Sequence, residues 1–287
     1  MAATRLSEWS FAMFDRLKHL SGVDRSKEYP VVTPRDAASL IIVDRRPPSP
    51  SFLMGRRSKR QSFMPGVFVF PGGALEQRDI TTAEALQCLP QPAGFDTPPL
   101  ANLAATAPLG AGPCTAESPL HAHTTLMRGT ALAICALREF GEETGLSFNH
   151  MSAAPPSQDT SLDKAPLWSG ADNGLPDMKF LARAITPPGR RMRYDTRFLL
   201  TEIEDDLAPT LTADDEFTEL KWVDYETAIS ALPLHAMTRV IIEDLKDYLF
   251  GSRETSSKNE QICEYVPFYR YSGKEFKRER IEIETLS

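Results

Sequence analysis

Seven prolines fall between Pro90 and Pro119, with Ala, Gly and Thr between them, and they divide the chain. Proline removes a backbone donor and fixes φ, so this stretch can hold neither a long helix nor a central strand. Any fold must therefore be assembled from the segments on either side, with roughly residues 80–128 as an excursion, apart from a short helix at Thr82–Leu89. Upstream, Ala37–Val43, Ser51–Gly55 and Val67–Phe70 read as strands, rich in β-branched and aromatic residues and closed by Pro and Gly. Downstream, Thr130–Thr144 reads as a helix, Phe180–Ile185, Tyr194–Ile203 and Phe217–Val223 as strands, and Tyr225–Leu232 and Ala236–Phe250 as helices. A mixture of antiparallel strands and a few helices makes the class α+β.

Residues 1–30 form a lead-in with an amphipathic helix at Leu6–Leu20, residues 31–250 the main domain, and residues 251–287 a polar linker and tail whose Arg280–Glu284 alternates like an edge strand. The net charge of -7 argues against a surface that wraps nucleic acid. No apolar run approaches the roughly 20 residues of a membrane span. Cys88, Cys114, Cys135 and Cys263 are too irregularly spaced for a disulfide framework or a zinc site. These features predict a soluble, cytoplasmic protein with reduced thiols, and the charge leaves room for a local basic pocket for one small anionic ligand.

The most informative stretch is Arg138-Glu139-Phe140-Gly141-Glu142-Glu143-Thr144-Gly145-Leu146. Thr130 is a candidate cap for the start of its helix, and Gly145 can supply the left-handed residue that ends it. At 100° per residue, Ala133, Ile134, Leu137, Phe140 and Gly141 share one side, and Glu139, Glu142 and Glu143 gather on the other. Two readings follow: a solvated charged face, or hard oxygen ligands that hold a divalent cation. Upstream, the strand Val67–Phe70 stops at Pro71-Gly72-Gly73, where the backbone is free to approach a ligand closely.

Together these motifs resemble the Nudix hydrolases, whose signature is glycine, five residues, Glu, seven residues, then Arg-Glu-apolar-x-Glu-Glu-x-Gly-apolar. The second half matches at every specified position. In the first half, five residues after Gly73 lies Asp79 rather than Glu, and 58 residues, Ile80 to Leu137, replace the short spacer. Such an interruption marks the branch that includes coenzyme A diphosphatases. That branch also carries Leu-Leu-Thr-x-Arg-Ser/Ala, three residues, Arg, three residues, Gly ahead of Phe-Pro-Gly-Gly. Leu53, Arg57, Ser58, Gly66 and Phe70–Gly73 agree with it, Met54 is a mild change, and Gly55 and Ser62 depart from it.

The resemblance implies a mixed sheet sandwiched between helices and a reaction that hydrolyses a diphosphate bond with Mg²⁺ or Mn²⁺. It assigns Glu139, Glu142 and Glu143 as metal ligands, joined by the carbonyl of Gly72 or Gly73, and Arg138 as the residue that orients them. Glu216, in the acidic run Asp214–Glu216, is the further acid that many members draw from a late loop. Glu143 or Glu216 would be the general base. Asp79 or another acid would pair with Arg138. Among the basic residues at Arg56–Arg60 and Arg190–Arg197, Arg57 and Arg193 are the candidate phosphate ligands. Coenzyme A, an acyl derivative or another nucleoside diphosphate compound would be the substrate. The alternative is a Nudix fold that binds a nucleotide with little turnover.

Overall fold

The computed structural model describes residues 32–61, 63–87, 118–146, 175–176, 178–203, 216–250, 265–272 and 275–282. The amphipathic segment at Leu6–Leu20 and most of the proline-rich excursion lie outside these residues. Strands β1 (Arg35–Asp44), β2 (Ser51–Arg57), β3 (Phe68–Val69) and β4 (Gly72–Ala74) precede helix α1 (Gln77–Gln87). Helix α2 (Thr125–Thr144) follows the excursion, then β5 (Lys179–Ile185), β6 (Tyr194–Ile203) and β7 (Phe217–Asp224). Helices α3 (Tyr225–Ala231), α4 (Ala236–Asp244) and α5 (Lys246–Phe250) come next, and strands β8 (Tyr265–Ser272) and β9 (Glu275–Glu282) close the chain.

Among the described residues the strands form one mixed, nine-stranded sheet in the order β3-β2-β1-β6-β5-β8-β9, with β4 paired to β1 and β7 paired to β2. Its spine is the parallel pairing of β1 with β6, in register from Arg35↔Tyr194 to Asp44↔Ile203. Strand β1 is buried along almost its whole length because its alternate residues face two cores. Ala38, Leu40 and Ile42 pack with Ala133, Ile134, Leu137 and Phe140 of α2. Ile41 and Val43 pack with Ala228 of α3 and Val240 and Ile241 of α4 on the other face. The sheet is thus sandwiched between helices.

Several boundaries differ from the sequence reading. Helix α1 starts at Gln77, before Thr82, because Asp79 accepts the Glu76 amide at 2.8 Å and helps cap its first turn. Helix α2 starts at Thr125, capped by Thr124, whose hydroxyl accepts the Met127 amide at 3.2 Å. Thr130 is therefore not the cap. It lies a turn inside, with its hydroxyl donating to the Leu126 carbonyl at 3.0 Å. Gly145 does end the helix, at φ 67°. Ala236–Phe250 divides into α4 and α5 at Leu245. The edge strand expected in the tail is β9, and its hairpin partner β8 runs parallel to β5, so the sheet extends beyond residue 250.

One layer of the sheet is ionic. Arg183, almost fully buried on β5, meets the Asp195 carboxylate at 2.8 and 2.6 Å. Arg197 on β6 meets Asp36 on β1 at 2.5 Å, and the Ser118 hydroxyl donates to the same Asp36. In sequence Arg197 belongs with the basic residues that suit a phosphate. The structure places it inside the sheet, paired across strands, where a buried arginine needs its counter-ion.

Candidate active site

The site lies where β4 lies antiparallel to the start of β1, facing the last turns of α2 (Ala38↔Gly73, Ser39↔Gly72). Two glycines allow this approach. A Cβ on Gly73 would fall 2.4 Å from the Glu139 carboxyl carbon, so the turn's backbone lies directly against that side chain. Gly72 has φ +153°, and a Cβ there would fall 2.4 Å from the Ala38 carbonyl oxygen and 2.5 Å from the Ser39 Cα. Those neighbours are backbone and cannot swing aside. Gly72→Ala is expected to cost about 1–3 kcal/mol, as overpacking does, and to pull the turn away from α2. Urea denaturation measures the first effect, and an accompanying loss of activity reports the second.

Arg138 is the hub. It is 6% exposed and grips Asp79, itself 1% exposed, through Nε at 2.7 Å and Nη2 at 2.9 Å. The alternative left by the sequence, Asp79 or another acid, resolves to Asp79, carried by α1 across the whole excursion. The same guanidinium donates to Glu139 at 2.8 Å, to Glu142 at 3.0 Å and to the Ala74 carbonyl at 3.1 Å. Burial works against its charge, but the hydrogen bonds of Asp79 and the charge of Glu139 hold it protonated. Arg78 also reaches Glu142, at 3.1 Å.

Glu143 lies deeper, 2% exposed. One carboxylate oxygen accepts the Gly72 amide at 2.8 Å, and the other, Oε1, is buried with no hydrogen-bond partner among the described residues. A solvated charged face is thereby ruled out for this part of α2. Burial, then the charge of Glu216, pushes the Glu143 carboxyl well above the usual carboxylate range. Burial also raises Glu139, against the pull of Arg138. The Cys135 thiol, next to the Gly73 carbonyl at 3.7 Å, is raised by burial as well and is a packing residue.

Glu216 enters from the start of β7, and its charge acts on both Glu139 and Glu143. Arg57 meets Glu216 at 2.9 Å and donates through Nε to the Phe63 carbonyl at 3.0 Å. Arg193 is tied elsewhere, donating to the backbone carbonyls of Thr186 at 3.0 Å and Val32 at 2.7 Å. The structure therefore brings Arg138, Glu139, Glu142, Glu143, Gly73, Glu216 and Arg57 into one constellation, and gives Arg193 backbone partners. Beside it, Arg56, Arg57, Ser58, Lys59, Arg60, Gly66 and Thr218 line an open cleft of about 510 Å³. Lys59 and Arg60 were visible in sequence as part of a basic run, but nothing there showed that they border a cleft.

Among the described residues, no three His, Cys, Asp or Glu side chains are grouped so as to hold a metal as they stand, and Arg138 bridges Glu139 and Glu142. The donor set nonetheless fits a hard divalent cation. It consists of carboxylate oxygens, one of them buried without a partner among the described residues, and burial raises the proton affinity of Glu139 and Glu143.

Residues 34–169 match the family model of the NUDT19 Nudix domain. An acyl-coenzyme A diphosphatase NUDT19 of Gallus gallus is 36% identical over 128 residues, 39% of this chain and 32% of that protein. The match thus spans about a third of the length of that curated relative. A solved NUDIX hydrolase from Alicyclobacillus acidocaldarius is 23% identical, covering 75% of this chain and 91% of the other at a TM-score of 0.49. The NUDIX domain of Shewanella oneidensis NrtR, solved with ADP ribose, is 11% identical, covering 81% and 97% at a TM-score of 0.42. The family model and the curated relative bear out the Nudix resemblance and its interrupted-signature branch.

Proposed function

We propose that this chain, whose residues 34–169 carry a Nudix domain, hydrolyses the diphosphate bond of a nucleoside diphosphate compound of the coenzyme A or acyl-coenzyme A type. The observation that carries the reading is Glu143: a buried carboxylate with one oxygen unpartnered, set among Glu139 and Glu216 behind a glycine turn. Glu139, Glu142 and Glu143, with the Gly73 carbonyl, would hold Mg²⁺ or Mn²⁺. Such a cation supplies charge neutralisation on the phosphates and a more acidic water.

Arg138 orients Glu139 and Glu142, and its pairing with Asp79 fixes it against both helices. Glu143 is fully enclosed and locked to the Gly72 amide, whereas the Glu216 side chain keeps 28% exposure. Glu216 is therefore the better placed acid to take the proton of an attacking water. The cleft of Arg56, Lys59 and Arg60 offers cations to the phosphates of the substrate, on a chain whose overall charge is negative. Support for the coenzyme A type comes from the partial signature at Leu53–Gly73 and from the 36%-identical relative.

Coenzyme A incubated with the protein and Mg²⁺ or Mn²⁺ is expected to yield phosphopantetheine and adenosine 3′,5′-bisphosphate, with chelator or Glu142→Gln abolishing both products. Cleavage of ADP-ribose but not of coenzyme A would move the substrate class. Saturable nucleotide binding without turnover of any phosphoanhydride would replace the hydrolase by a sensor. Among the described residues no helix is long and apolar enough to cross a membrane.

A further inference from the structure

Arg57 occupies the arginine position of the branch signature, where a direct contact with substrate is the natural expectation. Its surroundings point elsewhere. The side chain is only 12% exposed, its Nη2 lies 2.9 Å from a Glu216 oxygen, and its Nε is used by the Phe63 carbonyl at 3.0 Å. The backbone reinforces the pair. Strands β2 and β7 run antiparallel with a register shift at Arg56/Arg57, so that Arg56 faces Glu219 and Arg57 faces Phe217. Ser58 N–H then donates to the Glu216 carbonyl at 2.8 Å, closing the strand ends on each other. A bulge of this kind re-aims a side chain next to a functional site. Here it sets the Glu216 carboxylate near Glu139 and Glu143, where three like charges would otherwise drive it outward.

We infer that Arg57 is a positioning residue that holds Glu216 against the acidic cluster, rather than a ligand of the substrate's phosphates. The inference rests on the hydrolase reading and adds to it the means by which the general base is kept in place.

A double-mutant cycle over Arg57→Ala, Glu216→Gln and the combined variant tests it, with coenzyme A and Mn²⁺ as the assay. Arg57→Ala is expected to lower kcat about tenfold or more, as a misplaced catalytic group does, with KM within about twofold. The combined variant should be no slower than Glu216→Gln alone. Arg57→Lys, which keeps the charge but loses the fork, should recover part of kcat. A rise in KM at unchanged kcat, or losses that multiply in the combined variant, would overturn the inference. The same four proteins in thermal denaturation without metal give a readout independent of turnover. Arg57→Ala should lower Tm less in the Glu216→Gln background than in the wild type, and equal drops would refute the pair. If the wild type cleaves neither coenzyme A nor ADP-ribose, the hydrolase reading fails, while the thermal cycle still decides whether Arg57 acts on Glu216.

Discussion

Glu143→Gln is expected to abolish hydrolysis, by about 100-fold or more, and at the same time to make the metal-free protein more stable at neutral pH. Both effects have one origin. Gln keeps an oxygen for the Gly72 amide but removes a charge whose second oxygen is buried without a partner. The amide nitrogen inherits the unpartnered position, so the gain comes from removing the buried charge alone, worth about 1–3 kcal/mol, or about 2–12 °C in Tm for a domain of this size.

The pH dependence fixes the sign. Burial raises the folded-state pKa of Glu143 above the ordinary glutamate value of 4.5. The folded state therefore holds this proton more tightly than the unfolded state. As pH climbs past the ordinary range, the unfolded chain ionises freely while the folded one resists, and wild-type stability falls until the folded pKa is passed. The advantage of Glu143→Gln should thus be absent near pH 4 and grow toward pH 8. Added Mn²⁺ should raise the Tm of the wild type, by mass action on the folded state, and leave that of the variant nearly unmoved. Melting curves across pH, with and without Mn²⁺, check this. A variant that is less stable at pH 8 in chelator would show that Glu143 is a structural carboxylate.

Much of this arrangement is legible in the residues themselves. The run Arg138–Leu146 identifies the helix, its acidic side and its glycine stop, and the halt of an apolar strand at Pro71-Gly72-Gly73 identifies the turn that meets it. What the sequence leaves open is partnership. Asp79 and Arg138 are separated by the whole excursion, and only the packing of α1 on α2 brings them within 2.7 Å. Arg197 reads as one of the basic residues that suit a phosphate, and Arg183 draws no attention, because alternation shows which face a residue occupies but not that the face carries a matching carboxylate. Thr130 reads as the cap by residue type, but the helix begins earlier, capped by Thr124, where the chain returns from the excursion. Arg57 reads as a phosphate ligand for the same reason: its charge is visible, and the neighbour that uses it lies on another strand.

Arg138→Ala is expected to be among the most destabilising single changes in the domain, about 3–5 kcal/mol, because it leaves the carboxylate of Asp79 buried at 1% exposure without its counter-ion. On the same scaling, Tm should fall by about 6–20 °C, measured by thermal denaturation. Asp79→Asn should cost less, since Arg138 keeps Glu139, Glu142 and the Ala74 carbonyl as partners. Replacing the pair together, as Arg138→Met with Asp79→Leu, should recover much of the stability, because a buried ion pair is seldom worth more than well-packed apolar side chains of similar volume. Activity should not return with it. The guanidinium that stabilises the helix contact is the one that holds Glu139 and Glu142, and Met has no donor to offer either carboxylate. A double variant that is both stable and fully active would mean that the glutamates orient themselves. A double variant that is stable and inactive would separate the two tasks that one arginine performs here.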